Sequence, residues 1–140
     1  MGITFVCDAA AGCTFVVWSG DVTPVEWYEH RQRLLSDPAY RSVTKTLVDL
    51  SRASGLGEID DTVIEQMAGV LRDEELGPYK AAVIPNSAWD KARKLERRVE
   101  GSGITVISFT DLLTACAWLG VDADTAQARI EALRTAASAR

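Results

Sequence analysis

The sequence predicts an α/β domain: a mostly parallel, five-stranded mixed sheet that opens with a β-hairpin, carries packed helices and ends in an extra C-terminal helix. Three observations carry that expectation. From Thr23 onward, short β-rich apolar runs alternate with amphipathic helical stretches, the pattern of parallel strands joined by right-handed crossovers. The first two β-rich runs, 3–7 and 14–18, are separated only by a short stretch around Asp8-Ala9-Ala10-Ala11-Gly12, which reads as a hairpin. The run Leu47-Val48-Asp49-Leu50 lies between polar Arg41-Ser42 and the glycine-containing Ser54-Gly55-Leu56-Gly57. A short apolar run bounded in this way is a strand buried on both faces of a helix-covered sheet.

Taken in order, the hairpin is followed by a turn at Ser19-Gly20-Asp21. Thr23 caps the first helix, with Pro24 at the first helical position and Glu26 completing a capping box. At helical spacing Pro24, Trp27, Tyr28, Arg31, Leu34 and Leu35 share its inner face, and His30 falls outside that arc. Asp37-Pro38 ends the helix, because the residue before proline avoids helical backbone angles. After the 47–50 strand, Ser51 and Ser54 belong to a loop. Asp60 then caps the second helix, and Ile59 and Ile64 sit at the two positions of a hydrophobic staple. The run 79–84 is the next strand. Ser87 and Asp90 form a capping box for a third helix with Ala88, Ala92, Leu95 and Val99 inside and Lys91, Arg93, Lys94, Arg97 and Arg98 outside. The last strand covers 104–109. Thr110 or Asp111 caps a short helix stopped by Gly120, and Asp122 or Asp124 starts the terminal helix, with Ala126, Ile130 and Leu133 in register.

A chain of 140 residues, 47% hydrophobic and 25% charged, is one ordinary folded domain. A net charge of −5 argues against a general nucleic-acid binder. No apolar run approaches the ~20 residues of a membrane span. The N-terminus has neither the basic segment nor the apolar core of a secretion signal, so a cytoplasmic location is expected. Cys7, Cys13 and Cys116 read as small buried hydrophobes; a Cys7–Cys13 bridge across the hairpin demands exacting geometry. A lone His30, far from any cysteine in sequence, provides no metal-ligand spacing, so neither a metal nor another cofactor is expected.

Two features stand apart from core formation. Arg31 lies within an apolar arc, where its stem packs while the guanidinium snorkels, or where it pairs with a carboxylate such as Asp49. The four tryptophans are core residues or, in part, the walls of a pocket; Trp27, Tyr28, Arg31 and Trp89 are the candidates for such a pocket. No nucleophile has a candidate base beside it in sequence, and no glycine-rich phosphate loop follows a strand, so an enzyme is not expected.

With its elements in this order, the chain resembles the STAS/SEC14-like (SpoIIAA-like) domain family of bacteria. The resemblance rests on Trp18-Ser19-Gly20-Asp21-Val22-Thr23, Asp37-Pro38-Ala39-Tyr40-Arg41, Leu47-Val48-Asp49-Leu50-Ser51, Ala81-Ala82-Val83-Ile84, and Val106-Ile107-Ser108-Phe109 followed by Ala117-Trp118-Leu119. It implies a right-handed βα superhelix over residues 1–120, with 121–140 a helical extension, and a regulatory, protein-interaction role without catalytic residues. STAS anti-sigma-factor antagonists carry a phosphorylated serine where the helix after the Asp-Leu-Ser strand begins. Here that register holds Asp61, so a module not switched by serine phosphorylation is expected. Asp49, Ser51, Ser54, Asp60, Asp61 and Thr62 form its expected interaction surface, facing a protein partner. The apolar stripe of the terminal helix must cover either its own domain or a second copy, and because the family pattern is complete at Gly120, self-association into a dimer is the expectation. A small apolar, lipid-like ligand is the alternative, in keeping with SEC14-type relatives.

Overall fold

The computed structural model describes residues 2–138. It contains β1 (Ile3–Asp8), β2 (Cys13–Asp21), α1 (Pro24–Ser36), β3 (Lys45–Gly55), α2 (Asp61–Asp73), β4 (Tyr79–Ile84), α3 (Trp89–Arg98), β5 (Ile104–Ser108), α4 (Leu112–Leu119) and α5 (Ala123–Ser138). The five strands form one sheet in sequential order, with β1 antiparallel to β2 and the rest parallel. This is the expected α/β architecture, with the hairpin at one edge and β3 in the middle.

Alternating side chains divide the sheet into two apolar faces. Val16 and Trp18 of β2, Tyr79 and Val83 of β4, and Ile104 and Val106 of β5 point to one face, where Trp27 and Leu34 of α1, Ile64 and Met67 of α2 and Ala92 of α3 cover them. Phe15, Val17, Leu47 and Ala82 point to the other, against Ala115, Cys116 and Leu119 of α4 and Ala126 and Ile130 of α5. Successive crossovers between neighbouring strands, moving one way across the sheet, leave their helices on a single side. The second face is therefore covered by the two helices that follow the last strand.

The caps follow local chemistry. Thr23 Oγ1 accepts from Glu26 N at 3.2 Å, Asp60 Oδ1 from Val63 N at 3.0 Å, Asp111 Oδ1 from Thr114 N at 2.7 Å and Asp122 Oδ2 from Thr125 N at 2.9 Å. Between the alternatives left by the sequence, Asp111 rather than Thr110 and Asp122 rather than Asp124 are the caps. Gly120 ends α4 at φ 71°, a left-handed angle that costs glycine little.

Four expectations are corrected. The 47–50 run is the middle of a longer strand, so Ser51 and Ser54 lie in β3 and not in a loop. Its second half extends along β2, with Arg52, Ala53 and Gly55 opposite Ser19, Gly20 and Asp21 through two register shifts. At Gly55 the chain passes close to Asp21, and an added Cβ would lie 1.9 Å from Asp21 Oδ1, so a larger residue would displace that side chain. Ser87 does not cap α3. A single 3-10 turn, Asn86–Ala88, precedes the helix, with Asn86 at φ 51°, and α3 begins without a side-chain cap. His30, placed outside the buried arc of α1, is buried, because that arc also meets Phe5 on the hairpin. Finally, the apolar stripe of α5 is covered within its own chain, by β1 and β2. The stripe therefore gives no argument for a dimer. The hairpin register also sets Cys7 opposite Thr14 and Cys13 opposite Asp8, so all three thiols are free.

Since α5 closes one of two cores, truncating Ile130 should behave as a core deletion. Ile130→Ala should cost about 3 kcal/mol, read as a lowered denaturant midpoint. An unchanged midpoint would mean that α5 is an appendage.

Candidate functional site

The sheet face under α1, α2 and α3 does not pack shut. A cavity of about 130 Å³ lies between it and those helices. Val16 and Trp18 of β2, Val48 and Leu50 of β3, Ala81 and Val83 of β4 and Val106 of β5 form its floor. Trp27 and Leu34 of α1, Ile64, Met67 and Leu71 of α2, and Ala92 and Leu95 of α3 form its roof. Small residues at Ala81, Ala88 and Ala92 leave the space that larger side chains would take. Protein interiors are close-packed and hold few voids larger than a water molecule, so a volume of this size in so small a domain is unusual. For scale, an engineered apolar cavity of ~150 Å³ in another protein binds benzene.

One end of the cavity is polar. Arg31 projects from α1 between Glu74, at the end of α2, and Tyr40, in the 3-10 turn Tyr40–Ser42. Its Nε donates to Glu74 Oε2 at 3.2 Å, one Nη2 bond goes to Glu74 Oε1, and another reaches Tyr40 Oη at 2.9 Å. The two charged side chains are only 10% and 7% exposed. Burial alone would lower the guanidinium pKa, but the bonds to Glu74 and Tyr40 more than offset it and the pKa is raised. Arg31 is therefore a paired, buried cation. It does not snorkel, and its partner is Glu74 rather than Asp49. Its guanidinium also lies 5.5 Å from the centre of the Tyr40 ring. Beyond Tyr40, the Tyr79 ring lies 5.9 Å away and its hydroxyl bonds Thr46 Oγ1. Burial is the main cause that raises the Tyr79 pKa, so this phenol stays protonated. His30 completes the lining. It is 4% exposed, edge-on to Phe5 at 5.5 Å, and its buried Nδ1 has no hydrogen-bond partner among the described residues. Burial first, and then the positive charges of Arg31 and Arg33, lower its pKa to about 3, so it is neutral at physiological pH.

Of the four residues expected to form a pocket, the structure brings two together. Trp27 and Arg31 line the cavity. Tyr28 stands behind, edge-on to Trp27 at 5.2 Å, and Trp89 is half-buried at the start of α3, outside the lining. The helical spacing that placed Tyr28 inside is correct to within one residue, and Trp89 follows an unforeseen 3-10 turn. Glu74 and Tyr40 were not read as site residues. A carboxylate in the Glu74-Glu75 pair that ends a helix carries no signal that it is buried.

The expected interaction surface divides between the two faces. Asp49 is 2% exposed and lies under α5, where it accepts from Arg134 Nε at 3.1 Å and Nη2 at 2.8 Å. Ser51 Oγ accepts from the same guanidinium at 3.1 Å. Both line a separate crevice of about 190 Å³ with Thr110, Asp111, Gln127 and Arg134, and with Ile84, Leu112 and Ile130. Asp60, Asp61 and Thr62 are exposed at the start of α2, on the opposite side of the sheet, and Ser54 is exposed near the end of β3. The basic outer face of α3 is partly matched by α2: Lys94 pairs with Asp61 and Arg98 with Glu65, each at 2.6 Å.

Among the described residues no three His, Cys, Asp or Glu side chains are grouped to hold a metal, and no helix is long and apolar enough to cross a membrane. No protein-family model matches the chain, and no curated protein matches its sequence.

Breaking a buried ion pair on one side strands a charge, which costs about 3 kcal/mol or more, whereas replacing both partners by apolar groups is often neutral. Glu74→Ala should therefore lower stability by about that amount. The double variant Arg31→Met/Glu74→Leu should recover most of the loss in chemical denaturation. Equal losses in the single and double variants would show that the pair is not the interaction that matters.

Proposed function

We propose that this chain is a non-enzymatic binding module for a small, mainly apolar ligand held between the sheet and α1–α3. The observation that carries this reading is the 130 Å³ cavity, with apolar walls and one polar end. Filling that volume with apolar atoms would contribute about 3 kcal/mol, at roughly 24 cal/mol per Å³. That gain corresponds to a dissociation constant of roughly 5 mM for a bare hydrocarbon, and tighter with polar contacts. The apolar walls favour a neutral guest, and the Arg31 charge is already matched by Glu74. The resemblance to STAS/SEC14-like domains agrees with this reading, since SEC14-type relatives hold lipids.

A regulatory surface at the start of α2 is the second reading, and one observation favours it. Asp60 caps the helix and Asp61 is exposed beside it, so two carboxylates stand permanently where the macrodipole welcomes negative charge. A protein partner would meet a fixed charge there rather than a switched one. Stoichiometric phosphate on Thr62 in protein from its own host would contradict this second reading.

Toluene is a suitable probe for the cavity, with binding followed by ligand-observed NMR and by calorimetry. The parent chain should bind it. Ala92→Leu, which places a larger side chain inside the cavity, should weaken binding at least tenfold while the thermal midpoint holds or rises. A parent that fails to bind toluene, or an Ala92→Leu variant that binds it unchanged, would contradict the proposal.

A further inference from the structure

Among the ionisable and hydroxyl side chains that line the cavity, all but one are engaged. Arg31 is held by Glu74 and Tyr40, and the Thr46 and Tyr79 hydroxyls bond each other. Lys91 Nζ donates to the Ile59 carbonyl at 2.5 Å. His30 is the exception. It lines the cavity, it is buried, and its Nδ1 has no partner among the described residues. Buried polar atoms in native proteins are almost always bonded, and one that is not calls for an explanation.

We infer that His30 is the anchor for the ligand's one polar group, and that the ligand is a neutral, compact, apolar molecule bearing a single hydroxyl, with phenol as its simplest representative. The inference rests on the cavity being a ligand site. Three features argue for it. A neutral imidazole has one donor and one acceptor nitrogen, and a hydroxyl can both give and accept, so it satisfies Nδ1 in either tautomer. A charged group beside the neutral imidazole would have to be stripped of water, and the neighbouring cation, Arg31, is already neutralised by Glu74. The edge-on contact with Phe5, at 5.5 Å and 68° between rings, fixes the imidazole before a ligand arrives, which lowers the ordering cost of binding. The burial that holds His30 neutral leaves one ring nitrogen free to accept near pH 7.

Phenol, toluene and benzoate, titrated into the full chain at pH 7 and followed by calorimetry, separate the alternatives. A hydroxyl must be stripped of water to enter an apolar cavity, so without a partner phenol would bind more weakly than toluene. With His30 as partner, phenol should bind at least as tightly as toluene, and benzoate at least tenfold more weakly than phenol. In His30→Leu, toluene affinity should stay within about threefold while phenol affinity falls at least tenfold. If His30→Leu does not fold, the parent still answers the question. The chain has a single histidine, so its ¹⁵N resonances need no assignment, and phenol but not toluene should shift Nδ1. Toluene binding with phenol tenfold weaker, or an Nδ1 that ignores phenol, would overturn the anchor and leave the cavity as a site for bare hydrocarbons. Benzoate binding as tightly as phenol would overturn the neutral ligand. Failure of both phenol and toluene to bind would overturn the cavity site itself, and this inference with it.

Discussion

A guanidinium can be buried beside an apolar cavity only if its charge is matched and its donors are used. Glu74 and Tyr40 meet both conditions for Arg31. The pair joins the middle of α1 to the end of α2 and to the turn before β3, three segments that share no backbone hydrogen-bond ladder. A polar junction of this kind sets where α1 and α2 sit over the sheet more narrowly than apolar contacts do, because its bonds have direction and length. The apolar side chains beyond it do not fill the remaining space: Ala81, Ala88 and Ala92 are too short to close it. The cavity follows from a fixed polar corner and small residues opposite.

The sheet separates the apolar cavity from the crevice on its other face. Its two faces carry separate cores, one under α1–α3 and one under α4 and α5. Cys13, Phe15, Leu47, Ala82, Ala115 and Ala126 are almost fully buried under α4 and α5, and burial raises the Cys13 thiol to about 12, so it behaves as a small hydrophobe. The polar groups on that side, Asp49 and Ser51, are tied down by Arg134 from α5. Burial would lower the Arg134 pKa, but the Asp49 carboxylate more than offsets it. A helix added after the last strand thus covers one face, beside the crevice at Asp49 and Arg134, and the other face holds the apolar cavity.

Much of the fold was legible in the sequence, because its signals are local. The Thr23-Pro24 start of α1, the Ile59–Ile64 staple around Asp60, the Gly120 stop and the alternation of strand and helix each depend on neighbouring residues, and the structure contains all of them. What was not legible depends on distant partners. Ser51 and Ser54 read as loop because the local run of apolar residues ends at Leu50, yet β2 supplies the ladder that extends the strand. His30 reads as outside the arc of α1 until the hairpin brings Phe5 against it. Arg31 stands out within an apolar arc, but its partner lies 43 positions along the chain, in a helix end with no distinguishing pattern. Of the expected pocket, Trp27 and Arg31 were found from helical spacing alone. The stripe on α5 is buried as helical spacing predicts, but against its own sheet, because an apolar face does not say which of two surfaces covers it.

The most direct test of the account is whether the space between the sheet and α1–α3 exists and accepts an apolar guest. Xenon enters dry apolar cavities of this size and is readily located by diffraction. In a crystal of the full chain pressurised with xenon, the account predicts a xenon site bounded by Ala81, Ala92 and Trp27, with the Arg31–Glu74 pair intact. Side chains closed over that volume, with no xenon between the sheet and the three helices, would contradict it.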